Sequence, residues 1–532
     1  MSFQRTVREY RPLVAVSAPI AGIQLAQVAL TTTDLAMMGL MSVKAVAAGG
    51  LAITMYNQLR TMCVGAVTPV GNLVAAAAGR SHARARGPGG DDPGGDGRGG
   101  GKAADDPGER EIDDVARGEV RESLQASFLV ATAVGVLGAL ALVVLSYALT
   151  LFGEDAGVLA LARPMMIVLA PGLIPMLWLN VLRQFAVGMR RPGSLLGITI
   201  ASVAVNAGLN GAFIYGWAGF PRLGLTGVGL ATTSVQVLTF LGFLMIVRRD
   251  SHLAPLLSVR GWKADLSIAR TLLRLGLPIS LTYGSEAGIT SVATLLMGGF
   301  GPGALAAHNV VNQCAYIVYQ SNIGLSQGSS IWVSRAVGQK DTGEPARTGH
   351  RALTLSAVLM VAVGLVYVAA PDPVLGLFLD DGTSQSALSV AHTLLFFAIA
   401  HQFFKGAQNI GVGLLRGLGN TKSGFHYTLI GYWAVGTPAM LLCAYVLEMD
   451  AAGVWAGLCA GFAATAVLLL RRFRRDLRLQ GGESSALSAA VAGRADPAGR
   501  ADPAGRPDPA TASASPAEGK AEAGVGAEGR KT

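Results

Sequence analysis

The sequence predicts an all-α polytopic membrane protein, with about twelve transmembrane helices in two six-helix lobes related by an internal pseudo-two-fold repeat. Three observations carry that expectation. Apolar stretches of about 20 residues, long enough to cross a ~30 Å hydrocarbon core, recur as far as Leu470. Basic residues gather at alternate connections between those stretches. The stretch that begins at Pro19 also aligns with the stretch that begins at Pro278, without a gap, for about sixty residues at a shift of 259 positions.

A bilayer is the natural solvent for such a chain. Of its 532 residues 51% are hydrophobic and 14% charged, and the mean hydropathy is +0.46, more apolar side chain than a soluble domain can cover with polar surface. The net charge of +9 is not a nucleic-acid footprint, because Arg and Lys lie in short clusters between apolar runs and not on one face of a folded domain. Cys63, Cys314, Cys443 and Cys459 fall inside apolar segments without metal-type spacing, so neither a disulfide framework nor a zinc site is expected. The apolar run after the basic N-terminus continues to about Gly39, far beyond a signal-peptide core, and reads as a retained first helix.

Taken in order, the apolar runs and their breaks place helices near 10–40, 45–79, 119–152, 158–187, 193–217 and 225–248, then near 270–299, 303–338, 350–378, 386–416, 422–447 and 450–471. The first six form an N-lobe (1–248) and the last six a C-lobe (270–472), joined by a cytoplasmic linker (249–269). Between the second and third helices, 87–114 is Gly, Pro and charge, and it is expected to be a flexible cytoplasmic insertion because it has too little apolar surface to bury. The segment 473–532, rich in Ala, Pro and Gly with a tandem ADPAGR at Ala495 and Ala501, is expected to be a disordered cytoplasmic tail. Basic residues crowd one set of connections (Arg8 and Arg11; Arg80 and Arg84; Arg190 and Arg191; Arg248 and Arg249; Lys340 and Arg347; Arg471 to Arg475). The alternate set carries mainly acids, such as Asp155, Asp372, Glu448 and Asp450. Both termini are therefore expected to be cytoplasmic, in a multi-pass protein of the plasma membrane.

In the repeat, Pro19 meets Pro278, Gly65 meets Gly324 and Gly79 meets Gly338; with other shifts Gly188 lies opposite Gly417 and Gly227 opposite Gly453. Six helices per unit return the chain to the same side, so the two lobes are related by an axis along the membrane normal, an arrangement suited to alternating access. Polar side chains within the spans are expensive and should face a wet interior. In the first helix Gln27, Thr31 and Asp34 share one face, and in the seventh Tyr283, Glu286 and Thr290 do the same. The second helix adds Asn57 and Gln58, the eighth Asn309, Asn312, Gln313 and Tyr316, and the tenth Lys405, Gln408 and Asn409. These residues are expected to line one central cavity where the lobes meet. The amide stripes of the second and eighth helices serve equally well as interhelical glue at ~0.6 kcal/mol per bond. Arg60, in mid-span, either pairs with a carboxylate or marks a misplaced boundary, and Lys405 is expected to partner a carboxylate or an anionic group.

Five strings in this order, QVALTTTDLAMMG (27–39), ALAAHNVVNQ (304–313), GLSQGSSIWVSRAVGQ (324–339), GLLRGLGNTK (413–422) and GVWAGL (453–458), resemble the multidrug and toxic compound extrusion (MATE) transporters over roughly residues 8–472. The resemblance implies a V-shaped pair of six-helix bundles that exports cationic or amphipathic organic compounds in exchange for H⁺ or Na⁺. Asp34 matches the family's first-helix aspartate and Glu286 the seventh-helix glutamate of the NorM-like branch. That branch carries an aspartate in the tenth helix where Lys405 stands here, which puts the second-lobe cation site in doubt. Asp34 and Glu286 are the implied ion-coupling or substrate carboxylates, and Asp34 is where a coupling Na⁺ would bind. Proton or sodium and a cationic substrate would compete for the same carboxylates. The expected partners are a small organic substrate and the lipid bilayer, with no nucleic acid and no cofactor beyond the coupling ion, and a monomer is expected. An alternative is a flippase for a lipid-linked substrate on a related two-lobe plan. An enzyme finds no support: His308, His392, His401 and His426 are scattered singly, and no nucleophile elbow or phosphate loop occurs.

Overall fold

In the computed structural model, the structure describes residues 2–86, 112–152, 155–259, 261, 264–378 and 385–492. Among them every regular element is helical. The N-terminal half contains α1 (Ser2–Gly39), α2 (Val43–Val67), α3 (Pro69–Arg86), α4 (Asp114–Ala148), α5 (Ala156–Leu169), α6 (Leu173–Gly188), α7 (Gly193–Tyr215) and α8 (Leu225–Arg249). The C-terminal half contains α9 (Leu266–Gly299), α10 (Pro302–Gly338), α11 (Glu344–Ala369), α12 (Pro371–Leu375), α13 (Gln385–Gly417), α14 (Thr421–Leu429), α15 (Thr437–Leu441) and α16 (Asp450–Ala492).

Several of these pair end to end into single crossings. α2 and α3 are separated only by Thr68, where Pro69 withholds a backbone donor and the Thr68 hydroxyl bonds back to the Val64 carbonyl at 2.8 Å. α5 and α6 are joined by a 3₁₀ turn over Ala170–Gly172, and α14 and α15 by π-helical turns over Ile430–Gly436. Twelve crossings result, six to a lobe. Among the described residues ten of them pass on length and apolar composition alone, while α9 and α10 do not, because amide, hydroxyl and charged side chains interrupt them.

Burial divides these helices into those facing lipid and those facing protein. The most apolar stretch of α11 is 28% buried and that of α4 33%, against 72% for the α2–α3 crossing. Leu140, Val144, Val358 and Leu365 are exposed apolar residues on α4 and α11, as expected where hydrocarbon replaces water. One hydrophobic core runs through α1–α8, from Ile23 to Val247, and takes in the start of α9; a second runs from Ile289 to Phe462 in α9–α16. Val16, Ile20, Ala75, Val187 and Ile331 form a small separate cluster that draws on α1, α3 and α6 of one half and α10 of the other.

The repeat reappears as paired contacts between the lobes. Gly65 lies against Ser280 and its counterpart Gly324 against Ala21; Gly79 lies against the Arg335 carbonyl and Gly338 against the Ala76 carbonyl. Both members of each contact map onto the other contact under the same 259-residue shift, which only a two-fold relation between the lobes produces. A Cβ at any of these glycines would fall inside van der Waals distance of backbone, so the close approach requires glycine. The pattern extends within the lobes: Gly188 packs on Gly71 and Val74, and Gly417 on Ser330 and Val333. Asn72 bridges the lobes, donating to the Ser330 and Ser334 hydroxyls at 2.8 Å each.

Two boundaries differ from the sequence expectation. α16 continues past 472 to Ala492, so 473–492 is helical where a disordered tail was expected. Its Arg-rich run contains good helix formers and an i,i+4 pair, Arg472 to Asp476 at 2.8 Å. The end of the 87–114 insertion is ordered as well: Ile112 is buried, and Asp113 caps α4 by accepting from the Ala116 N–H at 2.8 Å. Residues 87–111 and 493–532 lie outside the described residues, as do Glu154, Arg260, Lys263, Asp380 and Asp381. By compactness the chain divides into Met1–Gly481 and Gly482–Thr532, and of the second unit only the helical residues 482–492 are described.

Candidate functional site

The polar residues singled out in the sequence are not gathered into one central cavity. Some of them separate into two sites, one inside each lobe, and the rest are dispersed.

The N-lobe site is built around Asp34, 5% exposed near the end of α1. One carboxylate oxygen accepts from the Asn210 amide at 2.7 Å and the other from the Thr232 hydroxyl at 3.0 Å. Asn206, one turn before Asn210 on α7, accepts from the same Asn210 amide nitrogen at 3.2 Å. Neutral donors alone therefore hold the carboxylate, and no Lys or Arg makes an ion pair with it among the described residues. The site opens into a cavity of about 60 Å³ walled by α1, α2, α5, α6, α7 and α8, with Gln27, Thr31, Asn57 and Arg60 among its lining residues. Gln58 lies outside that lining. The volume suits water molecules, an ion or one functional group, and is well short of the few hundred Å³ that hold a drug-sized molecule.

Arg60 is not a boundary residue, and among the described residues it makes no ion pair with a carboxylate. It sits within α2 on the cavity wall, with its Nε buried and unbonded. α6 adds Arg183 to the same lining, 6% exposed, which donates to the Gln24 side-chain carbonyl at 3.1 Å and to the Asn180 side-chain carbonyl.

The C-lobe site is an ion pair in an aromatic setting. Glu286 on α9 lies 3.2 Å from the Lys405 ammonium on α13, each side chain 15% exposed, and accepts from the Tyr319 hydroxyl at 3.4 Å. The ammonium also sits 4.2 Å from the Tyr319 ring centroid and 5.4 Å from that of Phe462, distances at which the ring faces add cation–π attraction. Close by, Trp455 donates to His308 at 3.2 Å and packs edge-on against both His308 and His401. Two histidines that look isolated in the sequence therefore share one tryptophan.

The remaining expected residues are dispersed. Tyr283, Asn312 and Gln313 are half-buried, Asn309 and Tyr316 are exposed, and none of them bonds to Glu286 among the described residues. Thr31 and Thr290 spend their hydroxyls on backbone carbonyls one turn back, at 3.3 and 2.9 Å. Gln408 is 1% exposed with its side-chain oxygen unbonded, and Asn409 uses its backbone carbonyl to accept from Ser326 at 2.7 Å. Among the described residues no three His, Cys, Asp or Glu side chains converge in a way that could hold a metal ion.

Known proteins place this arrangement. The MatE family model matches residues 116–211 and 278–442. A probable multidrug resistance protein NorM from Pseudomonas aeruginosa is 33% identical over 497 residues, which cover 92% of this chain and 95% of that protein. The chain belongs to the MATE family. A second NorM, from Brucella suis, is 30% identical over 489 residues, with 91% and 96% covered. Among solved structures, a eukaryotic MATE transporter superposes with a TM-score of 0.73 at 17% identity, covering 89% of this chain and 98% of its own. A MATE-family multidrug resistance transporter in an outward-facing conformation gives 0.75 at 16% identity, covering 89% and 97%. The two-lobe, twelve-helix fold of this MATE chain is thereby shown.

Sequence reasoning missed Asn206, Asn210, Thr232, Gln24, Asn180 and Arg183. The signal was present: Asn206 and Asn210 stand at i,i+4 inside an apolar run, and Arg183 lies mid-run between Val181 and Phe185. The rule that flagged the second and eighth helices would have flagged these too.

Proposed function

We propose that this MATE chain is a multidrug efflux antiporter of the plasma membrane, a carrier and not an enzyme. It exports cationic or amphipathic organic compounds from the cytoplasm in exchange for H⁺ or Na⁺, as a monomer with both termini cytoplasmic. The observation that carries this reading is Asp34, a buried carboxylate on a cavity wall whose only bonded partners are neutral donors. Such a group can be neutralised in turn by a proton, by a sodium ion or by a substrate's cationic centre, and only one of them can occupy it at a time. That exclusion is the coupling. The names of the NorM relatives, multidrug resistance proteins, support the substrate class.

Glu286 has a different part in this reading. With Lys405 at 3.2 Å it already holds a cation belonging to the protein, so the exchange is assigned to Asp34. The Glu286–Lys405 pair keeps the C-lobe neutral through the cycle. The lobes approach closely near Gly79 and Gly338, toward the end that holds the basic connections. With that end cytoplasmic, the close contact forms the inner gate.

The test is flux of a fluorescent organic cation in proteoliposomes under an imposed pH or sodium gradient. Movement driven by one gradient and lost in Asp34→Asn supports the assignment and names the ion. Movement with neither gradient would sink it and favour the flippase alternative.

A further inference from the structure

The N-lobe cavity carries more positive charge than the exchange of a cation requires. Its lining includes one carboxylate, Asp34, and two guanidiniums, Arg60 and Arg183. Among the described residues neither arginine makes an ion pair. Arg183 bonds only to the neutral side-chain carbonyls of Gln24 and Asn180, and both Nε groups are buried and unbonded. Asp34, with Asn210 and Thr232 bonded to its two oxygens, is the one acid in this lining, so one positive charge stays in excess. A buried charge without a counter-charge is costly, and two on one cavity wall also repel each other. Natural interiors answer this with an acidic partner, as the C-lobe of this chain does with Glu286 and Lys405. Here one acid stands against two guanidiniums, and neither is paired with it.

We propose that Arg60 and Arg183 form a carboxylate-binding subsite in the N-lobe that takes the acid group of an amphiphilic substrate. The acid group lies between the guanidiniums, and the rest of the molecule stays outside the cavity. The planar guanidinium fork matches a carboxylate with two parallel donors, a fit that a lysine ammonium lacks. A cavity of about 60 Å³ admits an acid group without the body of the molecule, and a single anion placed there is within reach of both arginines. A small inorganic anion such as chloride shares this chemistry. The subsite rests on the export reading of the preceding subsection, and it deepens that reading by naming the anionic half of the substrate.

The experiment uses the full-length protein and two probes that differ in one group: a rhodamine bearing a free benzoate, which is zwitterionic, and its methyl ester, which is a cation. Binding of each is followed by fluorescence polarisation in detergent, and flux of each in proteoliposomes. The expected result is an acid-to-ester affinity ratio that falls about tenfold in Arg60→Gln, the loss of one charged hydrogen-bonding partner, and severalfold in Arg183→Lys, which keeps the charge and loses the fork. Arg60→Lys restores part of the ratio. An unchanged ratio in both Arg60→Gln and Arg183→Lys overturns the subsite. Comparing sodium chloride with sodium methanesulfonate, which carries no carboxylate, at equal ionic strength separates the sources. Tighter binding of the acid dye in methanesulfonate identifies chloride as a competing occupant, and equal binding identifies the organic carboxylate as the group that the guanidiniums take; the polarisation ratios decide the subsite in either case. If neither gradient drives flux of either dye, the antiport reading fails, while the polarisation ratios still decide the subsite.

Discussion

The two lobes descend from one repeat and have solved the problem of a buried carboxylate in opposite ways. In the C-lobe Glu286 carries its own counter-ion, Lys405, clasped between two aromatic rings. In the N-lobe Asp34 is left to neutral donors, and the two arginines that line the same cavity make no ion pair among the described residues. A site that is electrically complete has nothing to exchange. One that is incomplete can draw its missing charges from solution, and on the antiport proposed above the asymmetry divides the labour: the C-lobe supports and the N-lobe trades.

The largest effect that could break this comparison is on transport. Asp34→Asn is expected to abolish gradient-driven export while changing unfolding stability by less than about 1 kcal/mol, within the range of a single exchanged hydrogen bond. A mutant that still exports would show that the N-lobe does not trade. In the C-lobe the expectation reverses, with stability as the main readout. Glu286→Gln or Lys405→Met alone strands a buried charge and should cost about 3–5 kcal/mol, whereas the double mutant should recover most of that. Denaturant unfolding in detergent checks it, and additive losses would mean that the pair is not coupled.

A smaller effect is expected where the lobes touch. Gly338→Val drives a side chain into the Ala76 backbone and should cost about 1–3 kcal/mol and slow transport, whereas Gly298→Val, which meets nothing within 4 Å, should stay within about 0.5 kcal/mol of wild type. Similar losses at both sites would remove the case for a tight inner gate. Smallest of all is the cap of α4. Asp113→Ala should lower stability by about 1 kcal/mol. The Arg84 guanidinium bonded to Asp113 holds its carboxyl down at about 2, so this stabilisation is present above the ordinary carboxylate range and is lost as pH falls toward 2. Limited acid proteolysis ahead of α4 reads it, and Asp113→Asn, which keeps the cap, should flatten the pH dependence.

The helices were legible because hydrocarbon thickness dictates their length, and the lobes because the 259-residue repeat survives in the glycines that let backbones touch. Asp34 and Glu286 stood out for a related reason: a carboxylate inside a span needs a cause. Spacing could not show toward which neighbours each stripe turns. α1 and α9 border both the lobe interface and a lobe interior, so a polar face on either helix fits a shared cavity as well as two separate ones. Asn309 and Tyr316, on the expected cavity face of α10, are exposed, while Asn206, Asn210 and Arg183, in helices that read as plain apolar packing, form the buried polar network around Asp34 and Gln24. Their partners come from α1, more than a hundred residues away in sequence, and no local pattern encodes that pairing.

The weak apolar character of α9 and α10 has a consequence for biogenesis. Each meets the translocon carrying side chains that a lone helix cannot present to lipid, Glu286 among them, before Lys405 has even been synthesised. These two helices must shelter against α1, α2 and α3, the same helices they contact in the finished protein. The expectation is that the first lobe acts as a chaperone in cis for the second. Expressed alone, residues 250–532 should integrate poorly and be degraded, and co-expression of residues 1–249 should rescue them.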